Sequence, residues 1–142
     1  MPEDNKAVVR RFAEECWGQG SFNVADELVA DDVVRNGQPV GRAGLVGAIA
    51  VIRSAFPDFH TEIEDLVAED DRVAWRYSSG GLHTGAPLFG TAATGRPVSW
   101  TGTAIVRMDA GKVQEIWDNV DLFAIHTQLG TISPPGSRSP GS

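Results

Sequence analysis

Apolar residues recur every three to four positions over residues 3–17. Val8, Val9, Phe12, Ala13, Cys16 and Trp17 form one stripe, and Arg10, Arg11, Glu14 and Glu15 fill the opposite side. That period predicts an amphipathic helix with one face in a core. Gly18 and Gly20 stop it. Ser21 stands where it would cap a second short helix, with Val24, Leu28 and Val29 facing inward. Val33-Val34 reads as a brief strand, and Gly37 and Pro39 mark a turn. A third helix is expected from Ala43 to Ala55 on Leu45, Ala48, Ile49 and Ile52. It ends at Phe56, because Pro57 disfavours helical backbone at the residue before it.

From Phe59 the period changes to two. Phe59 to Ala68 alternates imperfectly, as a bulged strand would. After an Asp70-Asp71 turn, Arg72 to Ser79 alternates cleanly, with Val73, Trp75 and Tyr77 on one face. Gly80 to Pro97, rich in Gly, Pro and Thr, reads as a long loop of the kind that is often functional. Val98 to Met108 is a long strand, Asp109-Ala110-Gly111 a hairpin turn, and Lys112 to Asp121 the last strand. A short helix follows from Leu122 to Leu129, and residues 131–142 have the composition of a disordered tail. Helices first and antiparallel strands after them predict an α+β domain over residues 1–130. A strongly curved sheet with three N-terminal helices on one face makes a cone with a cavity at its wide end.

Composition narrows the function classes. The 142 residues carry a net charge of −7, and an acidic surface repels phosphate backbones and anionic lipids. Neither nucleic acid nor a membrane is therefore expected as a partner. The polar N-terminus and the lack of any apolar run near ~20 residues predict a cytoplasmic protein. Cys16 is the single cysteine, so no internal disulfide framework exists. His60, His83 and His126 are scattered without metal-ligand spacing. No phosphate-loop, dinucleotide or nucleophile-elbow motif occurs. No metal or other cofactor is expected.

Candidate chemistry collects on the last strand, where Trp117, Asp118 and Asp121 lie together. Carboxylates among aromatics suit acid/base work in a mostly apolar pocket. Positions three apart on a regular strand face opposite sides. Asp118 shares a face with Ile116 and Val120, and Asp121 with Glu115, Trp117 and Asn119. Neither row is clearly apolar, so parity leaves open which faces inward. Asp121 also stands where it would cap the last helix. His83, in Gly81-Leu82-His83-Thr84-Gly85, either assists a carboxylate or bonds to the loop backbone. Trp75, Tyr77 and Trp100 have the parity to line one face, and their rings suit a flat substrate. Asn36 and Asn119, with Trp117, complete the candidate substrate contacts. Arg76 and Arg107 fall on the opposite faces of their strands. Ile105 and Val120 are candidates for a face buried against a second copy, in a homodimer or homotetramer.

A series of short motifs runs in order along the chain: Phe56-Pro57-Asp58, Gly81-Leu82-His83-Thr84-Gly85, Thr94-Gly95-Arg96, Arg107-Met108-Asp109-Ala110-Gly111-Lys112, Glu115-Ile116-Trp117 to Asp121, and Gln128-Leu129-Gly130. In this order and spacing the chain resembles the SnoaL-like polyketide cyclase family, of the nuclear-transport-factor-2-like, ketosteroid-isomerase-like superfamily. The resemblance covers about residues 7–130. It implies a cone-shaped α+β barrel, usually dimeric or larger, that closes a ring in a polyketide-like substrate by aldol chemistry without a cofactor. By motif position it assigns the acid/base role to Asp121; His83 and Asp118 are read from their own positions as assisting residues. A carboxyl group can both take and return a proton when apolar surroundings raise its pKa toward neutrality. Asn36 and Ile116 stand where many members of the family carry His. Relatives on this fold also suggest a hydratase, dehydratase or epoxide-opening enzyme, or a non-catalytic small-molecule-binding module.

Overall fold

A computed structural model of the chain describes residues 2–132. The expected disordered tail lies, from residue 133 onward, outside the described residues. Helix α1 (Pro2–Arg11) continues directly into a π-helical segment, Phe12–Gly18. The apolar stripe read from the sequence is the buried one: Val9, Phe12, Ala13 and Cys16 are all in the core. Burial pushes the Cys16 thiol up to about 11, which keeps it in the protonated form. The end of the π-helical segment leaves carbonyls without intrahelical partners. Arg53 satisfies two of them, donating from Nη1 to the carbonyls of Trp17 at 2.6 Å and Gly18 at 3.0 Å.

Helix α2 (Val24–Leu28) passes straight into strand β1 (Val29–Arg35). The expected Ser21 side-chain cap does not form. Val24 N donates to the Ser21 carbonyl at 3.1 Å instead, so a backbone turn meets the need. Leu28 and Val29 are buried as expected, and Val24 is half-buried against the same core. Helix α3 (Gly41–Ala55) buries Leu45, Ile49 and Ala55. Four long strands follow: β2 (His60–Glu69), β3 (Arg72–Leu82), β4 (Pro97–Asp109) and β5 (Lys112–Val120). Helix α4 (Leu122–Leu129) closes the described chain.

The five strands form one open sheet in the order β1-β5-β4-β3-β2. Strands β2 to β5 are an antiparallel meander, while β1 joins β5 in parallel. The sheet is therefore mixed rather than wholly antiparallel. Alternation along β1 shows which residues are buried, but not the direction of a partner some 80 residues away. Strand β3 also runs three residues past its expected end, because Gly80 and Gly81 pair with Ser99 and Val98 through backbone alone. The loop between β3 and β4 shortens accordingly to residues 83–96. It docks on the end of α3, where Gly85 N donates to Ala55 O at 3.1 Å and Ala86 N to Ser54 O at 2.9 Å. A side chain at Gly85 would strike the Ser54 carbonyl.

Two irregularities shape the inner face. The register of β2 on β3 shifts between Ile63 and Asp65, which is the bulge expected in this strand. The register of β4 on β5 shifts between Arg107 and Met108. This second bulge lets Val113 and Ile116, three residues apart, both reach the core. Downstream of it, Ile116, Asp118 and Val120 share the inner face. Val120 was expected on the outer face beside Ile105; it lines the interior instead, because the bulge resets the alternation. On the outer face Arg76 pairs with Asp65 at 2.8 Å and Arg107 with Glu115 at 2.8 Å, as the parity of the arginines implied.

The interior holds two apolar clusters. One gathers Val9, Phe12, Leu45, Ile49, Trp75, Val106 and Ile116 between the helices and the middle of the sheet. The other gathers Phe56, Phe59, Leu88, Trp100, Ile125 and Leu129 around α4 and the docked loop. Each buried large side chain contributes ~1.5–3 kcal/mol of transfer free energy against the entropy of ordering the chain. No described helix is long and apolar enough to cross a membrane.

Candidate functional site

A cavity of about 490 Å³ opens where the two clusters meet. Its walls are mainly apolar: Trp17 and Ala13 from the π-helical segment, Ile52 from α3, Phe59 before β2, Trp75 and Trp100 from the sheet, Leu88 from the loop and Ile125 from α4. Val51, Phe89 and Leu122 also line it and are about half exposed, which places them at the mouth.

One carboxylate faces this space. Asp118 lines the cavity with its side chain only 9% exposed, so it is largely withdrawn from water. Three residues hold it. Tyr77 Oη donates to Asp118 Oδ1 at 2.8 Å. Arg35 Nη2 lies 3.5 Å from Asp118 Oδ2. Asn36 Oδ1 accepts from the Asp118 backbone N–H at 2.9 Å. Arg35 and Asn36 arrive there because β1 ends beside β5: Arg35 pairs with Ile116, and Asn36 N donates to Ile116 O at 2.8 Å. Asn36 adopts φ 49°, a left-handed conformation that Asn tolerates better than most residues. Arg35 had no distinguishing signal in the sequence, because only the β1–β5 pairing brings it to Asp118.

Tyr77 reaches Asp118 across β4. Its cross-strand partner there is Gly102, and a side chain at that position would overlap the Tyr77 ring. Gly102 therefore gives the phenol its path. Burial, then the charge of Asp118 and the hydrogen bond to it, hold the Tyr77 phenol well above its ordinary range; Arg35 opposes this in part. Tyr77 thus stays protonated and serves as a hydrogen-bond donor.

The other sequence candidates are distributed as follows. Trp75, Tyr77, Trp100 and Asn36 all line the cavity. Trp117 lies on the outer face, with the Arg72 guanidinium 5.3 Å from its ring centroid. Asn119 is exposed on the same outer row. Asp121 is exposed and caps α4, its Oδ1 accepting from Ala124 N at 3.0 Å. His83 is fully buried outside the cavity lining. Its Nδ1 accepts from Thr94 N at 3.2 Å and its Nε2 faces the Ala86 carbonyl at 3.1 Å, so the proton sits on Nε2. This imidazole ties the two ends of the loop together. Among the described residues, no three His, Cys, Asp or Glu side chains converge as a metal site would require.

The chain thus combines an α+β fold and an open sheet with an apolar cavity that carries one largely buried, hydrogen-bonded carboxylate on its wall. A profile of the SnoaL-like polyketide cyclase family matches residues 7–129, and the chain belongs to that family. Solved structures agree. AclR from Streptomyces galilaeus, a proposed hydroxylase, superposes with a TM-score of 0.84 at 26% identity, covering 94% of this chain and 85% of AclR. IdmH from Streptomyces antibioticus, a proposed polyketide cyclase, does so with a TM-score of 0.77 at 27% identity over 89% of this chain and 98% of IdmH. A proposed polyketide cyclase from Bacillus cereus has a TM-score of 0.77 at 26% identity, over 92% of this chain and 83% of its own. No curated protein matches the chain in sequence.

Proposed function

We propose that this chain is a cofactor-independent acid/base enzyme that closes a ring in an oxygenated, polyketide-like molecule, with Asp118 as the proton carrier. The observation that supports this most is the position of Asp118 on the wall of an apolar cavity, 9% exposed and held by Tyr77 and Arg35. The resemblance to the family pointed to Asp121; the capping bond and exposure of Asp121 favour Asp118 for the role.

The chemistry would run in two proton transfers. The Asp118 carboxylate takes a proton from the carbon next to a substrate carbonyl, and the electron pair moves onto oxygen to give an enolate. The enolate carbon attacks a second carbonyl carbon of the same molecule, forming the ring bond and an alkoxide. Asp118 then returns its proton to that alkoxide and is a carboxylate again. Once Asp118 has taken the proton, the Tyr77 hydroxyl is released to donate to the forming oxyanion, and Arg35 supplies a positive charge beside it. A general base of this kind contributes ~10²–10⁴-fold.

The first step can be tested without the natural substrate. Exchange of the α-protons of a bicyclic aryl ketone in D₂O, followed by NMR, reports proton abstraction directly. Wild-type protein is expected to accelerate the exchange, Asp118→Asn to abolish the acceleration and Asp121→Asn to keep it. Exchange that survives Asp118→Asn and is lost in Asp121→Asn would return the role to Asp121.

A second reading is favoured by Arg35. A guanidinium beside a carboxylate also suits water addition, water elimination or epoxide opening, where it would bind the departing or developing oxyanion. Arg35→Met would then remove more activity than Tyr77→Phe. We also propose a homodimer through the outer sheet face, where Ile105 is 43% and Val67 62% exposed. Ile105→Asp is expected to shift the sedimentation coefficient to that of a single chain.

A further inference from the structure

We propose that the hydroxyls of Thr61 and Ser79 form a second oxygen-binding subsite in the cavity, which receives a carbonyl or hydroxyl oxygen at the end of the substrate remote from Asp118. This rests on the reading that the cavity is the substrate site.

Thr61 on β2 and Ser79 on β3 are directly opposite each other, and both line the cavity. Their hydroxyl oxygens are 2.8 Å apart, and Ser79 is only 5% exposed. Two hydroxyls carry two hydrogens, and the bond between them uses one. Neither hydroxyl has another partner among the described residues. One hydrogen is therefore left to donate beside apolar rings: Trp100 is the cross-strand partner of Ser79, and Phe59, two residues before Thr61, packs near Trp17 and Trp100. Ser79 is buried and Thr61 half-buried, so this donor is partly withdrawn from water and a ligand oxygen would supply the acceptor it lacks.

The sheet register fixes the spacing between the two polar sites. Thr61, Ser79 and Trp100 form one cross-strand row; Tyr77, Gly102 and Val120 form the next; Trp75, Ala104 and Asp118 form the third. Ser79 and Asp118 are thus two rows and two strands apart. Standard strand spacings put their backbones roughly 16 Å apart, and because both residues line the cavity on the inner face of a curved sheet their side-chain oxygens lie closer than that. The wall between them carries Trp75, Tyr77 and Trp100. The pair is uncharged, so it suits a neutral oxygen rather than an anionic group. A flat skeleton of about three fused rings, with oxygen at both ends, has the matching length and chemistry.

The test compares anthraflavic acid, whose hydroxyls sit at opposite ends of three fused rings, with the analogue that keeps only one of them. Both are titrated in mildly acidic buffer against tryptophan fluorescence, which Trp75 and Trp100 report from the cavity wall. One phenol is expected to donate to Asp118, and the other to meet the Thr61–Ser79 pair. Wild-type protein should bind the two-hydroxyl probe about five- to tenfold tighter, the range of one net hydrogen bond. In the Thr61→Val, Ser79→Ala double variant the preference should fall to about twofold, the statistical advantage of two equivalent ends. A preference unchanged in that variant overturns the subsite. Asp118→Asn separates the two readings: it should weaken both probes equally and leave the preference intact. If it leaves both affinities unchanged while the double variant still loses the preference, the subsite stands and the role of Asp118 falls. A crystal of the wild-type complex decides the matter even if the double variant does not fold. The second hydroxyl within hydrogen-bond distance of Thr61 or Ser79 supports the subsite, and its placement in solvent or against Asn36 overturns it.

Discussion

Asp118 and Asp121 lie three residues apart at the end of β5, and the fold gives them opposite surroundings. Asp118 points into the cavity, nearly out of water, and bonds to a phenol that cannot easily ionise. Asp121 sits in solvent and accepts a backbone amide of α4. A carboxylate facing a low-dielectric cavity can act strongly on a ligand, whereas a solvated one at a helix terminus acts on the helix. The same side chain thus meets two environments, and strand alternation after the β4–β5 bulge decides which carboxylate faces the cavity.

The largest effect expected from breaking this contrast is on Asp118. Asp118→Asn should lower catalysed α-proton exchange by ~10²–10⁴-fold, far more than the accompanying loss of stability in denaturant titration accounts for. Next comes Gly102→Ala. Its methyl group would occupy the path of the Tyr77 ring, so overpacking should cost ~1–3 kcal/mol in denaturant titration. Activity should fall further than that loss of stability explains, because Tyr77 would leave Asp118.

Tyr77→Phe follows. It removes a buried bond to a charged group and should cost ~1.5–3 kcal/mol. It also changes the alkaline limb of the stability curve. The folded state holds the Tyr77 proton more tightly than the unfolded chain does, where the phenol has its ordinary value of 10.0. That contribution is complete below pH 10.0 and is lost as pH rises above it. Wild-type stability should therefore drop toward that of Tyr77→Phe only at high pH. Tyr77 is the one tyrosine of the sequence, so phenolate absorbance reports it alone. It should appear together with unfolding rather than before it. The smallest effect belongs to Asp121→Ala. Loss of the cap should cost ~1 kcal/mol of stability and leave proton exchange unchanged, with the melting temperature and the exchange rate as the paired readouts.

Much of this could be read along the chain. The stripe of Val9, Phe12 and Cys16 named the buried face of the first helix, and the alternation of Val73, Trp75 and Tyr77 named the inner face of β3. The irregular pattern near Ile63 marked a real bulge. What escaped was non-local. Arg35 is unremarkable in sequence and meets Asp118 only because β1 pairs with β5 in parallel. His83 sits in a motif that suggested chemistry, yet both ring nitrogens are taken by Thr94 and Ala86 of its own loop. Trp117 looked like a cavity residue beside the carboxylates and instead stacks under Arg72 on the outer face. Ile116, two positions before Asp118 on the same inner row, is a core residue at 4% exposure.

The sequence by itself determined the elements, the class of fold, the acidic surface and the set of residues from which a site could be built. It did so because periodicity and turn chemistry are local and are written in neighbouring residues. Only the tertiary structure decided which carboxylate faces inward, which arginine stands beside it and which glycine opens the path for Tyr77. Those outcomes depend on strand register and on one bulge, and a shift of a single residue reverses the face of everything beyond it.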